Sequence, residues 1–467
     1  MHRPPLLLAL ALGTVVLASP HVGVADSLKL REPLIEGVDY QGVDISRIIY
    51  LERCVGGCVI RSGQEDARAN TSSILSFTGT SSATISEFDK GDEVWDAMVD
   101  CVKTLYAPYD VEVTDVDPGP NLFHHKAIVA GYWQEINYEY PIGGVAPSIC
   151  FPRNNAISFT FANQMGNPLY ICSVVGQETA HAFGLEHAYN CSDPMTYLGA
   201  CGRQFFRDGA KECGELEVQK TCDCGGSAQN SHGWLNNVLG PNPTPIAGPD
   251  IDIALPAAGA TVQDGFSVGV TAEHVRGVKR VEIRLNGEPY GWQDGYDYTN
   301  ASSPYWFDAP ADLPDGVIDI EIVASNDLGV ESSQIITVTK GSPCASADTC
   351  LAGQLCEAGR CLYPPASVDL GGECASAREC LSGLCPTSGD ESYCSQSCFV
   401  GVADQCPSSM DCIAASPDDP SMGVCWPDGT GGGGGGCSTS HNSSNNGGTG
   451  GLLLILGVLL AVRRRRS

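Results

Sequence analysis

Residues 173–187 read Ser-Val-Val-Gly-Gln-Glu-Thr-Ala-His-Ala-Phe-Gly-Leu-Glu-His, the one stretch of the chain with the rhythm of a metal site. On a helix Gln177 and His181 stand four residues apart and share a face. Glu178 lies one position round, placed to address a water on the metal from the side. Gly184 can take a positive φ and end the helix, which lets His187 approach the same point from outside it. Gln177, His181 and His187 as ligands, with a carboxylate beside them, leave a fourth position for water. An open position is what separates a catalytic zinc from a structural one.

These side chains need a scaffold, and the flanking sequence supplies one. The segments 47–51, 111–116, 126–130 and 156–162 read as strands. Residues 93–105 read as a helix with Val94, Trp95, Met98, Val99, Val102 and Leu105 on one stripe. The run 156–161, just ahead of the motif, is expected either as core or as an edge strand able to take up an extended peptide. His124 and His125 are weighed as an extra ligand, but adjacent strand residues point to opposite faces. Cys54 and Cys58 fit a disulfide better than a thiolate that masks zinc, as do Cys222 and Cys224. His232 and His274 have no sequence neighbours of a metal site and read as surface or core.

The motif resembles that of the metzincin zinc peptidases, H-E-x-x-H-x-x-G-x-x-H followed by a methionine turn. Glu178, His181, Gly184 and His187 match it, and Asp193-Pro194-Met195-Thr196-Tyr197 matches the turn. The resemblance covers about 44–240 and implies an α/β (α+β) peptidase domain. It implies Glu178 as general base and Zn2+ held by His181 and His187. It also implies Met195 as the apolar floor and Tyr197 as a ligand or oxyanion stabiliser. Cys191 is placed to brace the short connection between His187 and Met195. The departure is at the first histidine, which here is Gln177. A neutral amide oxygen is a poorer zinc ligand than imidazole, so the cost falls on affinity.

The rest of the chain sets the context. Its 467 residues are too many for one core. Of 23 cysteines, ten lie between Cys54 and Cys224, twelve between Cys344 and Cys425, and one is Cys437. Residues 245–340 contain none and read as an all-β, Ig-like sandwich, with alternating strands separated by Asn286-Gly287, Asp315-Gly316 and Asn326-Asp327. It serves as a spacer or contact module. Residues 344–426 hold too few large apolar side chains to fold without cross-links and read as a disulfide module. There the Cys344/Cys350 and Cys374/Cys380 spacings hint at two related subunits. Residues 1–25 read as a signal peptide, 26–43 as an N-terminal segment, and 427–449 as a Gly/Ser/Asn-rich linker carrying Cys437. Residues 450–467 read as a short hydrophobic tail with an arginine cluster. This order resembles the C-terminal sorting tail of myxobacterial surface proteins, which implies export, membrane association through the tail and Cys437 as attachment point.

A net charge of -29 argues against nucleic acid as a partner. The expectation is a secreted, cell-surface zinc metallopeptidase acting on a protein or peptide. The alternative is a catalytically degenerate domain of the same type, working in adhesion or binding through the Ig-like and Cys-rich modules. A hydrolase of non-peptide substrates also remains open, because nothing in the sequence marks a specificity pocket.

Overall fold

The computed structural model describes residues 26–27, 45–147, 150–199, 201–215, 218–295, 302–402, 405–415 and 421–427. The expected signal peptide, the hydrophobic tail and Cys437 lie outside the described residues. The chain is multidomain and mostly β, with few helices. It divides into two compact units: 1–259, 265–309 and 319–336 form the first, and 260–264, 310–318 and 337–467 the second.

The front of the first unit is built on a six-stranded sheet. Its strands are β1 (Asp26–Ser27), β2 (Ile48–Glu52), β6 (Glu112–Thr114), β7 (His125–Val129), β8 (Gly144–Ala146) and β9 (Ile157–Thr160), in the order β1-β8-β9-β7-β2-β6. β6, β2, β7 and β9 run parallel, and β8 is antiparallel to β9. Parallel strands are covered on both faces, so they read as near-continuous buried runs; every residue of β7 and β9 is buried. A small sheet of β3 (Cys58–Ser62), β4 (Thr71–Ser72) and β5 (Ser82–Ile85) flanks it, followed in sequence by the short α1 (Ser73–Phe77) at β4.

Two helices pack on each other across this core. Helix α2 (Asp92–Tyr106) buries Trp95, Met98, Val99, Val102, Leu105 and Tyr106, the stripe its spacing predicts with Tyr106 added and Val94 only partly buried. Asp92 and Glu93 at its start and Lys103 near its end suit the helix dipole. Helix α3 (Pro168–Ala182) carries the motif, and a Cys101–Cys172 disulfide ties it to α2. The hairpin β10 (Cys213–Glu215) and β11 (Val218–Lys220) and helix α4 (Ser231–Leu239) complete this part.

Strand β9 corrects one expectation. It lies between β7 and β8, so it is core and has no open edge for a peptide. Its Ser158 and Thr160 are both buried. The Ser158 hydroxyl is satisfied by His125 Nε2 at 3.2 Å.

The remainder of the first unit is β-sandwich. β12 (Asp250–Leu255), β14 (Ser267–Glu273) and β17 (Ser302–Asp308) form one antiparallel sheet, and β15 (Arg280–Leu285) pairs with β16 (Glu288–Asp294) and with β18 (Gly316–Ser325). Between β15 and β16, Asn286 and Gly287 have φ of 52° and 82°, the two left-handed residues a tight hairpin requires. Val268, Val270, Val281, Ile283, Tyr305, Ile320 and Ile322 form its buried apolar set.

In the second unit, Thr261 and Val262 of β13 (Thr261–Val262) pair in parallel with Thr339 and Lys340 of β19 (Glu331–Lys340). Beyond them twelve cysteines form six disulfides: Cys344–Cys356, Cys350–Cys361, Cys374–Cys385, Cys380–Cys394, Cys398–Cys412 and Cys406–Cys425. In each consecutive group of four, the first pairs with the third and the second with the fourth. The module is therefore three interlaced knots rather than the two that the cysteine spacing hinted at. The wider Cys398/Cys406 interval hid the third. Among the described residues, no helix is long and apolar enough to cross a membrane.

Candidate functional site

Helix α3 is set at both ends by local chemistry. The Asn167 side chain accepts from Leu169 N–H at 2.9 Å and Pro168 opens the first turn. At the other end Gly184 has φ +98°, and its N–H donates to the His181 carbonyl at 2.9 Å while Leu185 N–H donates to Ala180 at 3.1 Å. A Cβ on Gly184 would sit 3.1 Å from the Phe151 backbone, so the residue must be glycine on both counts. The chain then doubles back, and Gly214 N–H donates to the His187 carbonyl at 3.2 Å.

This turn brings His181 and His187 together. Both are buried, and their Nε2 atoms stand 3.0 Å apart. His181 Nδ1 lies 2.7 Å from the Leu185 carbonyl oxygen. That oxygen can only accept, so Nδ1 carries the proton and Nε2 offers a lone pair in the neutral ring. Burial, reinforced by His187, pushes the His181 pKa well down and favours the neutral ring. On the far side of His187, Glu215 Oε1 lies 3.8 Å from Nδ1, at ion-pair distance. His187 first, and Lys220 with it, hold the Glu215 carboxyl down to about 2 against partial burial. A carboxylate there favours a proton on His187 Nδ1 and leaves Nε2 facing His181. The facing nitrogens are satisfied by a proton on His187 Nε2 or by one cation shared between two lone pairs.

Gln177, also buried, donates from Nε2 to the Thr196 carbonyl at 3.2 Å. Because a carbonyl cannot donate, the orientation of the amide is fixed and its oxygen is turned away from Thr196. Glu178 is fully buried, packed under strand β8. A Cβ on Gly144 would fall 2.7 Å from Glu178 Cγ and 2.6 Å from the Phe159 carbonyl. Only a glycine at this point of β8 leaves room for the Glu178 side chain.

The 191–201 loop covers the other side of the histidines. Cys191–Cys201 closes it, in line with the bracing expected of Cys191. Met195 is fully buried, and its carbonyl accepts from Ala188 N–H at 2.7 Å. The Tyr197 ring lies on His187, with centroids 3.9 Å apart and planes at 38°. Asp193 Oδ1 accepts from Met195 N–H at 3.0 Å and Oδ2 from Arg207 N–H at 2.9 Å. Burial pushes the Asp193 carboxyl up to about 6, against the pull of those two N–H groups.

Other candidates are placed elsewhere. His125 bonds Ser158, and His124 Nδ1 faces the Leu122 carbonyl; neither meets the His181–His187 pair. His232 Nδ1 is 3.0 Å from the Tyr109 hydroxyl, and His274 Nε2 faces the Ala247 carbonyl at 3.1 Å. Cys54–Cys58 is a disulfide, as are Cys213–Cys222 and Cys150–Cys224. The idea of a masking thiolate is thereby removed. Cysteine clusters elsewhere that resemble metal sites are likewise built from disulfide-bonded sulfurs. Glu186 sits within the motif but accepts from Asp223 and Cys224 N–H, so it fastens a loop. Sequence reasoning missed Glu215, Gly144 and Arg207. Each lies outside the motif's own segment, and no spacing in the sequence links it to the histidines.

Solved structures resemble this chain weakly. The fibronectin(III)-like modules of CbhA from Clostridium thermocellum are 19% identical over 21% of this chain and 48% of that one, with TM-score 0.17. An endo-beta-1,4-mannanase from Thermotoga petrophila is 12% identical over 24% of each chain, with TM-score 0.17. OgpA from Akkermansia muciniphila is 12% identical over 66% of this chain and 96% of that one, with TM-score 0.16. The chain spans less than half the length of the first two. No curated protein matches it. The bacterial Ig domain family matches residues 249–331, so the sandwich that follows the histidine site is an Ig-like module.

Proposed function

We propose that residues 44–240 form a metzincin-like zinc peptidase domain in an exported, surface-retained protein, with a protein or peptide as substrate. The observation that supports this most is the buried pair of Nε2 atoms of His181 and His187, 3.0 Å apart, on a helix turn that also carries the buried Glu178. The donor set suits zinc: two imidazole nitrogens, each with its other nitrogen toward an oxygen, and Gln177 one helical turn before His181. When bound, zinc supplies Lewis acidity toward water and the scissile carbonyl. Glu178 accepts the proton of the attacking water and passes it to the leaving amine. Tyr197 holds the His187 ring and stands beside the developing oxyanion, while Met195 closes the floor. Glu215, beside Nδ1, favours the His187 tautomer that carries no proton on Nε2.

The second reading, a degenerate domain acting in adhesion through the Ig-like and Cys-rich modules, is favoured by one observation: position 177 offers an amide oxygen where an imidazole would bind zinc more tightly. Cleavage of a denatured protein substrate by the full chain, compared with Glu178→Gln, separates the two. The peptidase reading expects cleavage reduced by at least about a thousandfold in Glu178→Gln with zinc retained. No cleavage by the wild type, or equal cleavage by the variant, overturns it.

A further inference from the structure

The Ig domain does more than follow the histidine site in sequence. Asp327, in the turn after β18, is buried and accepts from Arg276 Nε at 2.8 Å and from Arg276 Nη2 at 2.8 Å, a two-pronged pairing within the domain. The same Asp327 Oδ2 accepts from Arg207 Nη1 at 2.8 Å. Arg207 belongs to the histidine-bearing domain. All three side chains are at most 6% exposed, so the network is closed to water.

Further bonds of this network reach the 191–201 loop and the chain leaving it. Arg207 Nε donates to the Ser192 carbonyl at 3.1 Å and Arg207 N–H to Asp193 Oδ2 at 2.9 Å. Arg207 Nη1 also donates to the Arg276 carbonyl at 3.0 Å, and Arg276 Nη2 to the Phe206 carbonyl at 2.8 Å. Phe205 N–H donates to Ser192 at 3.0 Å, and both guanidiniums lie over its ring. Asp193 in turn orients the Met195 N–H. A buried, hydrogen-bonded ion network has few alternative geometries, so it defines position rather than adding much stability.

We infer that Asp327 of the Ig domain is a positioning residue for the histidine site: it fixes Arg207, which holds the loop bearing Met195 and Tyr197 against His187. The inference rests on the zinc-peptidase reading for its consequence, but its geometry does not. The Ig domain is then a working part of the site, and cutting it away would loosen the loop.

The test uses the full chain and two readouts. In the zinc-free protein, Asp327→Asn is expected to speed hydrogen exchange at the Met195 and Phe205 amides about tenfold, with exchange in strands β14 and β17 unchanged. With zinc alone as the probe, its affinity is expected to fall about tenfold. Arg207→Lys, which keeps the charge but loses the Nε bond to Ser192, is expected to do the same and serves if Asp327→Asn does not fold. Arg280→Ala, at the exposed Arg280–Asp294 pair between β15 and β16, is expected to change neither. Unchanged exchange at Met195 and Phe205 in both network variants overturns the inference. Altered exchange in a wild-type background that binds no zinc supports the positioning role and refutes only the peptidase reading.

Discussion

Gln177 concentrates the chemistry of the site in one substitution. An amide oxygen binds zinc less tightly than imidazole because zinc prefers nitrogen and sulfur donors. The Gln177 N–H is already committed to Thr196. Gln177→His is therefore expected to tighten zinc binding by about tenfold or more, measured by competition with a chelating dye; unchanged affinity would mean that position 177 does not touch the metal. Gly144 makes a second point at this scale. Gly144→Ala drives a methyl group into Glu178 Cγ and the Phe159 carbonyl, and is expected to cost about 1–3 kcal/mol of stability in chemical denaturation and to abolish cleavage. Wild-type stability and activity in that variant would show that the carboxylate has room to move. The pattern of Glu178, His181, Gly184 and His187 was legible because all four lie on one turn-and-loop segment. Gly144 and Glu215 were not, since a residue that acts from another strand leaves no spacing in the sequence.

At the level of elements, helix α2 was readable from its apolar stripe, and the Ig strands from alternation and the Asn286-Gly287 turn. Strand β9 was readable as a strand, but its place in the sheet was not: core and edge stayed open, because burial of Ser158 depends on a neighbour, His125, that bonds the hydroxyl. The third knot of the Cys-rich module was hidden for a different reason: connectivity is a property of space, not of spacing. The loop of Met195 shows how a local cross-link serves a site. Its Cys191–Cys201 disulfide closes ten residues of chain. Replacing both cysteines by serine is expected to cost about 2–3 kcal/mol and to slow cleavage more than it weakens substrate binding, read as a lower kcat at nearly unchanged KM. A purely stabilising bridge would leave kcat of the folded fraction intact.

Across the first unit, the Arg207–Asp327–Arg276 network makes one assembly of two domains that the sequence presents as separate, with no motif to announce it. Burial raises the Asp327 pKa, but Arg276 and Arg207 more than offset this and leave it lowered. Tyr109, His232 and His274 also lie within electrostatic reach. A carboxyl whose folded pKa is depressed stabilises fully above its unfolded value and loses that contribution as pH falls through the folded one. The network is thus expected to hold at neutral pH and to weaken only once pH falls below the ordinary aspartate value of about 4. Calorimetry should show one shared transition for the two domains near pH 7 and separated transitions in acid. In Asp327→Asn the separation should already be present at pH 7; a single transition for that variant at both pH values would contradict the coupling.

The zinc content of the purified full chain bears most directly on the whole account. One zinc per chain after dialysis against trace metal, lost in His181→Ala, is the expected result, since the His181 and His187 Nε2 atoms are the two strongest donors in the site. A wild-type chain that retains no zinc, or a His181→Ala chain that keeps it, would contradict the account.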